Sequence, residues 1–443
     1  NLIIQPSDTL NIDPGVDVLF DGEFRIDVFG LLIAMGTEND SITFTRSLNY
    51  NSRWASINFS DDANDSSKLS YCNFLWGSES GYDPYYGVVN CNNSSPSINN
   101  STFEGSYDHS IYIKNGNPII NNNTFKNGYQ YDIYVNGGGP TISNNMFTES
   151  LGGSDVRNIY VTQSFDNTKI INNKFGELHL IYYDGPSQQY ETIYGNCYNI
   201  EIQNSANVEI SYNSFNDIIV EQLYVITIYD SDDVQIKNNK FYDNRPSYYR
   251  YAIKYQSSSR DANISYNEFY KNESGGNSSS YALVNLDGNE NDNIIERNIF
   301  YDNDITAIYL QYNYGLSISN NTLDHNNYGV YMQGWNYGSM INNSITRNND
   351  YGIRSTSDFS IRNNNSWNNG SNYAGSLQTG VGNLTNININ GNVCDVNYNI
   401  SENPQYINPS EGNYKLQSIS PNIDAGYGHS LEPDSSITDI GKF

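Results

Sequence analysis

Three aspartates recur along the middle of the chain at spacings of 28 and 31 residues. Asp233, Asp261 and Asp292 each lie three residues before an isoleucine that begins a repeated phrase. If the repeated segments stack as neighbouring strands, the carboxylates come about 4.8 Å apart and repel one another unless a cation lies among them. Two Ca–O distances of about 2.4 Å span such a gap. The spacing therefore predicts a Ca²⁺ site, which we call the aspartate column; the alternative is a row of solvated turn residues.

A second set of charged residues could perform acid–base chemistry on a sugar. It consists of Glu201, Lys254, Arg260, Asp233 and Asp261, which the repeat places on nearby coils. A polysaccharide lyase would use Lys254 as the base, with Arg260 or Ca²⁺ neutralising the uronate. A glycoside hydrolase would use two carboxylates, and a separation of about 5 Å suits a retaining mechanism. If the chain is catalytic, we expect its site at these residues.

Tyrosine recurs at the outward position of an Ile-x-Ile phrase. Six phrases have a tyrosine at this position: Tyr112, Tyr134, Tyr160, Tyr182, Tyr309 and Tyr331. A tyrosine combines an apolar ring face with a hydroxyl, which suits the stacking of a sugar ring. The alternative is cross-strand aromatic packing, worth about 0.2 to 1 kcal/mol per pair. The six tyrosines are therefore candidate carbohydrate-binding residues.

Both patterns belong to a longer repeat. Ile120-x-x-Asn123-x-Phe125 returns 22 residues later as Ile142-x-x-Asn145-x-Phe147, and fourteen copies follow one another, mostly 21 to 31 residues apart. The fourth position is asparagine in twelve copies: Asn123, Asn145, Asn173, Asn196, Asn213, Asn239, Asn267, Asn298, Asn321, Asn343, Asn364 and Asn392. A period of this length, sustained over most of a chain, indicates a solenoid.

The composition of each copy favours strands over helices. The copies are short, rich in β-branched and aromatic residues, and bounded by turn-forming residues. Three such strands per coil predict an all-β fold, a right-handed parallel β-helix with three sheets and roughly 17 coils. Asparagines of neighbouring coils would lie one strand spacing apart, where their carboxamides can bond head to tail. We therefore interpret the asparagines as a structural ladder.

The chain divides into three parts of one continuous solenoid domain. Apolar and polar residues alternate strongly in residues 1–60, which contain little asparagine. Residues 61–403 carry the ladder repeats. Residues 404–443 have no ladder repeat and contain more proline. We expect N-terminal coils, ladder coils, and a terminal coil with a cap. The segment from Leu2 to Leu10 is already typical of a strand, and no amphipathic helix precedes it. We expect the first edge to be either closed by residues outside this sequence or available to another copy or domain, and the second case predicts end-to-end association.

Composition narrows the range of partners. The chain of 443 residues has a formal net charge of −27, which argues against nucleic acid and against anionic membrane surfaces. It contains no apolar run of about 18 residues, so no membrane insertion is expected. No organic cofactor is implied. Cys72 and Cys91 lie in successive coils and could form a disulfide.

Several phrases resemble a known group of proteins. DTLNIDPGVDVLF, GLLIAMGT and ITFTR near the start, the I-x-N-N-x-F copies, and SPNIDAG near the end are similar to secreted right-handed parallel β-helix repeat proteins of the pectate-lyase-like superfamily. The resemblance covers nearly the whole chain and implies an extracellular location. Such proteins include lyases, glycosidases, adhesins and non-catalytic surface proteins. The lyases of this group have a catalytic lysine and a catalytic arginine on neighbouring coils. When the repeats are aligned, the corresponding positions of this chain are approximately Tyr229 and Lys254-Tyr255-Gln256.

These observations lead to one expectation and one alternative. We expect a non-catalytic extracellular β-solenoid that acts as a structural, adhesive or carbohydrate-binding protein at a cell surface and could assemble end to end. Its partner would be a polysaccharide or cell-surface glycan. The alternative is a polysaccharide lyase or glycoside hydrolase with a site around Glu201, Lys254 and Asp261.

Overall fold

The computed structural model describes residues 1–49, 52–78, 86–148, 155–179, 181–183, 191–193, 195–256, 258–275, 281–288, 292–357, 359–428 and 437–442, and only the backbone of residues 179, 181–183 and 191–193. The chain forms two compact units, Asn1–Thr227 and Ile228–Phe443. Each unit contains three parallel sheets that every coil visits in the same order. The described residues contain no α-helix. The predicted fold, a three-sheet parallel β-helix, is confirmed.

In the unit Asn1–Thr227 the described residues form eight coils. The strands of sheet 1 are Leu2–Ile4, Ile26–Val28, Ile57–Phe59, Gly87–Asn92, His109–Lys114, Tyr131–Asn136, Val156–Thr162 and Asn196–Gln203. Those of sheet 2 are Thr9–Ile12, Leu31–Met35, Lys68–Ser70, Ser97–Asn99, Ile119–Asn121, Thr141–Ser143, Lys169–Ile171 and Glu209–Ser211. Those of sheet 3 are Asp17–Phe20, Ile42–Arg46, Cys72–Leu75, Thr102–Glu104, Thr124–Lys126, Met146–Phe147, Lys174–His179 and Ser214–Ile219.

The described residues of the unit Ile228–Phe443 form six coils, and the strand Gln222–Tyr229 contains the boundary. In this unit sheet 1 contains Tyr248–Gln256, Ala282–Asp287, Thr306–Gln311, Tyr328–Gln333, Tyr351–Ser355 and Ser371–Gly375. Sheet 2 contains Gln235–Lys237, Asn263–Ser265, Ile294–Glu296, Leu316–Ser319, Gly338–Ile341 and Ser360–Arg362. Sheet 3 contains Lys240–Tyr242, Glu268–Tyr270, Ile299–Tyr301, Thr322–Asp324, Ser344–Thr346 and Asn365–Trp367.

The described residues form fourteen coils rather than seventeen, because sheets 2 and 3 contain 14 described strands each. Two predicted copies are not coils. Ile193 ends an antiparallel hairpin, in which Ile181–Tyr183 pairs with Glu191–Ile193. Ile389 is 82 % exposed and lies between the paired strands Asn386–Ile387 and Val393–Cys394. A hairpin repeats the local pattern of apolar and turn residues, so spacing alone does not separate it from a coil.

The interior contains columns of stacked apolar residues. In the first unit the phenylalanine column is fully or almost fully buried, with neighbouring ring centroids 4.6 to 5.2 Å apart and ring planes 4° to 19° apart. Its members are Phe44, Phe74, Phe103, Phe125, Phe147, Phe175 and Phe215. Each buried ring contributes about 1.5 to 3 kcal/mol of transfer free energy. The apolar residue of every repeat therefore stabilises the stack of coils.

The asparagine ladder is confirmed, with two corrections. Asn145 Nδ2 donates to Asn173 Oδ1 at 3.0 Å, and the same bond recurs along both units. Asn196 is not a member, because it starts a strand of sheet 1. Asn392 is not a member either: it donates to Pro421 O, and Asn399 accepts from Asn364 in its place. Both exceptions belong to the two predicted copies that are not coils, those at Ile193 and Ile389.

A second ladder follows sheet 3 in the unit Ile228–Phe443. Each member donates its side-chain amide to the next at 2.8 to 3.1 Å: Asn244, Asn272, Asn303, Asn326, Asn348 and Asn369. These residues are buried or nearly so. The repeat at Ile-x-x-Asn did not reveal this second column.

The C-terminal segment lies against the outer side of sheet 3 in the second unit. It contains the antiparallel strands Tyr406–Asn408 and Asn413–Leu416, joined by the 3-10 helix Pro409–Glu411. Tyr406 Oη lies 2.6 Å from Ser344 Oγ, and Tyr414 Oη donates to Asp324 Oδ2 at 2.8 Å. Polar outward residues of sheet 3 are thereby buried, and Asp324 is only 1 % exposed. We call residues 404–428 the C-terminal segment.

The four cysteines are free and buried. The disulfide that Cys72 and Cys91 could have formed is therefore not present. Cys72 Sγ lies 3.6 Å from Ala34 O, and burial raises the pKa of its thiol to about 12. Among the described residues, no helix has the length and apolar character needed to cross a membrane.

Candidate functional site

The outward side of sheet 1 in the unit Asn1–Thr227 contains a compact group of tyrosines. Tyr134 pairs in register with Tyr160, and Tyr160 pairs with Glu201, so the three form one column. The ring of Tyr131 lies beside that of Tyr160, with centroids 5.1 Å apart. The guanidinium carbon of Arg157 lies 5.6 Å from the centroid of Tyr131. We call these five residues, Tyr131, Tyr134, Arg157, Tyr160 and Glu201, the tyrosine face.

The rings of the tyrosine face are tilted rather than stacked. The interplanar angle is 47° between Tyr134 and Tyr160, and 33° between Tyr131 and Tyr160. On the outer side of sheet 3, by contrast, the planes of Tyr242 and Tyr270 differ by 6°. Parallel rings cover one another, whereas tilted and partly exposed rings leave part of each face open to solvent. The tyrosine face can therefore offer ring faces to a ligand.

Hydrogen bonds hold these rings in place. Tyr131 Oη donates to Glu201 Oε2 at 2.5 Å, and Tyr160 Oη donates to Gln203 Oε1. Burial raises the pKa of Glu201, although the bond from Tyr131 and the charge of Arg157 act in the opposite direction. Burial and the bond to Glu201 raise the pKa of Tyr131. The site thus combines oriented aromatic rings with a half-buried carboxyl group.

Two of the predicted tyrosines do not belong to this surface. Tyr182 was expected between Tyr160 and Glu201, but its strand forms a hairpin outside sheet 1, and its side chain lies outside the described residues. Tyr112 pairs in register with Tyr134 but is only 4 % exposed. Its ring therefore contributes to packing rather than to a surface.

The unit Ile228–Phe443 carries the remaining sheet 1 candidates. Tyr309 pairs with Tyr331, with ring centroids 5.5 Å apart, but Tyr309 is only 5 % exposed. Arg354, the next member, places its guanidinium carbon 5.0 Å from the ring centroid of Tyr331. Lys254 Nζ lies 5.0 Å from the ring centroid of Tyr251, and burial lowers the pKa of the amine. A lowered pKa is the property that a lysine base requires.

The three members of the aspartate column lie at equivalent exposed turns. Asp233, Asp261 and Asp292 all have left-handed backbone, with φ of 54°, 55° and 63°. Asp233 Oδ1 accepts a hydrogen bond from Gln235 Nε2 at 2.9 Å. The described residues include no group of three or more histidine, cysteine, aspartate or glutamate side chains placed to hold a metal ion. Calcium at this column stays a prediction.

The other predicted catalytic residues lie on different elements. Glu201 belongs to the first unit, whereas Lys254 lies on sheet 1 of the second. Arg260 lies at an exposed turn, where its Nη2 forms an ion pair with Asp232 Oδ2 at 3.2 Å. This partner already neutralises the cation that a lyase would need for a uronate. The joint catalytic role of these residues stays a prediction.

A group of exposed rings was missed. It lies at the turns between sheets 1 and 2 of the second unit and consists of Tyr312, Tyr314, Trp335 and Tyr337, which are 48 to 69 % exposed. A side chain on Gly334 would come within 2.5 Å of Tyr312, so this glycine allows the ring to lie against the backbone. The signal was in the sequence: Tyr-Asn-Tyr-Gly at 312–315 returns as Trp-Asn-Tyr-Gly at 335–338. We call these four residues the corner rings.

Comparisons with known proteins agree with this architecture. The family described as "Right handed beta helix region" matches residues 152–289. The periplasmic alginate epimerase AlgG is 11 % identical over 83 % of this chain and 76 % of its own, with a TM-score of 0.42. The catalytic domain of a GH87 alpha-1,3-glucanase, in complex with nigerose, is 13 % identical over 83 % of this chain and 61 % of its own, with a TM-score of 0.37.

A surface adhesin of Streptococcus pneumoniae, PfbA, is 15 % identical over 86 % of this chain and 85 % of its own, with a TM-score of 0.36. Similarities at these identities concern the fold alone. No curated protein sequence matches the chain. The resemblance to right-handed parallel β-helix proteins is confirmed, and it leaves the chemistry to be argued from the residues.

Proposed function

We propose that this chain is a non-catalytic extracellular β-solenoid of a cell surface that binds glycans through the tyrosine face. The observation that carries the proposal is the tilt of the rings of Tyr131, Tyr134 and Tyr160, which leaves ring faces partly exposed. A pyranose has an apolar face and a rim of hydroxyls, so it can stack on a ring while its hydroxyls bond to polar neighbours. Glu201 and Gln203 supply such neighbours.

Preorganisation supports this proposal. The hydroxyls of Tyr131 and Tyr160 are already anchored by hydrogen bonds, so their rings lose little conformational freedom when a ligand binds. The rigid, continuously paired strands beneath them hold the column at a fixed spacing. A surface of this kind binds through several weak contacts along a polymer, which suits adhesion to polysaccharide.

The test is a glycan array, followed by pull-down on cell-wall material, with the double variant Tyr134→Ala, Tyr160→Ala. Loss of two stacking rings at about 1 kcal/mol each should weaken binding about 30-fold. The matched control is Tyr242→Ala, Tyr270→Ala, which removes two neighbouring tyrosines from the parallel stack on sheet 3. Equal effects of the two double variants, or no effect of the first, would contradict the role of the tyrosine face.

A second candidate function rests on Glu201. This half-buried carboxyl group, bonded to Tyr131 and close to Arg157, has the raised pKa that a general acid on a polysaccharide requires. Absorbance of unsaturated products and release of reducing sugar over a polysaccharide panel test for lyase and hydrolase activity. Turnover that disappears in Glu201→Gln would favour the enzyme, whereas binding without turnover would favour the adhesive protein.

A further inference from the structure

Three adjoining concavities lie beside the C-terminal segment of the unit Ile228–Phe443. Their volumes are about 480, 210 and 670 Å³. Arg347 lines the first and the second, and Trp367 lines the second and the third. The three concavities therefore adjoin one another through shared lining residues. We call them together the terminal groove, and Trp367 lies where the second meets the third.

The position of Trp367 follows from the packing of sheet 3. Asp324, Thr346 and Trp367 form one outward column, since they pair in register on successive strands. The C-terminal segment covers the first two, which are at most 1 % exposed. It leaves Trp367 partly exposed, with its side chain lining the groove. An indole in this position offers a stacking surface with polar groups on both sides.

The charges of the groove disfavour an acidic ligand. Arg347 donates from Nε to Asp324 Oδ1 at 2.9 Å and forms a second bond to the same carboxylate. His325 Nδ1 lies 2.7 Å from Asp302 Oδ1. Both groups that could carry positive charge in the described lining therefore face a carboxylate. At the other end the lining includes Glu402 and Asp424, which would repel a polyanion.

The polar lining suits hydroxyl groups. Amide and hydroxyl side chains predominate in the largest concavity, and an amide both donates and accepts hydrogen bonds. Asn390 and Asn392 use Nδ2 to bond the carbonyls of Ile423 and Pro421 at 2.7 and 3.0 Å, which fixes one wall. Asp424 lines the same concavity, and a carboxylate accepts hydrogen bonds from ligand hydroxyls.

From these observations we infer that the terminal groove binds an uncharged oligosaccharide, with one pyranose ring stacked on Trp367 and a hydroxyl donating to Asp424. The groove is a site separate from the tyrosine face, and neither depends on the other. The protein then holds a glycan chain at its terminal coils even if the tyrosine face serves another purpose.

The experiment uses the full chain and four neutral probes: cellohexaose, laminarihexaose, xylohexaose and mannohexaose, with hexagalacturonate as the anionic counterpart. Titration calorimetry measures affinity. At least one neutral hexaose should bind, and hexagalacturonate should not. Trp367→Ala should weaken that binding at least tenfold, Trp367→Phe should retain part of it, and Asp424→Asn should weaken it severalfold.

A control variant and a background variant locate the binding. Trp335→Ala removes an equally large exposed ring from the corner rings and should leave hexaose affinity unchanged. In the background Tyr134→Ala with Tyr160→Ala, which lacks the tyrosine face, Trp367→Ala should still weaken the remaining hexaose binding at least tenfold. If Trp367→Ala does not fold, Trp367→Phe and Asp424→Asn decide in its place. The inference is overturned if no neutral hexaose binds, if hexagalacturonate binds better, if the groove variants leave hexaose affinity unchanged in that background, or if Trp335→Ala weakens binding as much as they do.

Discussion

Replacement of a single ladder asparagine tests the physical basis of the fold. Asn145 is 1 % exposed, and its side chain takes part in four hydrogen bonds. Its Oδ1 accepts from the backbone N–H of Asn123 at 2.9 Å and from Asn123 Nδ2 at 3.1 Å. Its Nδ2 donates to Ile120 O and to Asn173 Oδ1, both at 3.0 Å. At about 1 kcal/mol for each bond, Asn145→Ala should lower the free energy of unfolding by about 4 kcal/mol.

The assay is urea unfolding followed by circular dichroism, with Asn11→Ala as the matched control. Asn11 is an exposed strand residue of the first unit, so the same substitution should change the free energy of unfolding by less than about 0.5 kcal/mol. A loss of less than about 1 kcal/mol for Asn145→Ala would refute the reasoning. It would mean that water or a rearranged neighbour replaces the ladder bonds.

Further outcomes concern pH, metal and assembly. Burial raises the pKa of Asp132 from 3.8 to about 7, so the folded chain binds this proton more tightly than the unfolded chain and its stability falls as pH rises through that range. Asp132→Asn should remove this fall and stabilise the protein by about 4 kcal/mol above pH 7, as measured by unfolding at pH 5 and pH 8. If Ca²⁺ occupies the aspartate column, chelator should lower the melting temperature and Asp261→Asn should abolish that sensitivity. A melting temperature that chelator does not change would mean that the three aspartates are ordinary turn residues. End-to-end assembly should appear in light scattering and negative-stain images as particles that lengthen with concentration, whereas a strictly monomeric protein would exclude it.

The fold could be predicted from the sequence because its determinants repeat. A solenoid buries the same positions in every coil, so the isoleucine, asparagine and phenylalanine of each phrase stand at fixed spacings along the chain. The local periodicity of the sequence was therefore enough to predict the strands, the three sheets and the first ladder. It failed at Ile193 and Ile389, because a hairpin and a coil have the same local pattern and differ only in the partner strand.

The sites could be predicted only in part. The sequence by itself determined which tyrosines alternate with core residues, but only the tertiary structure decided that Tyr112 is covered and that Tyr131, an unpredicted residue, bonds to Glu201. The terminal groove gave no sequence signal at all. It exists because residues distant along the chain meet where the C-terminal segment crosses sheet 3, and such contacts depend on how the segment packs rather than on any spacing within it.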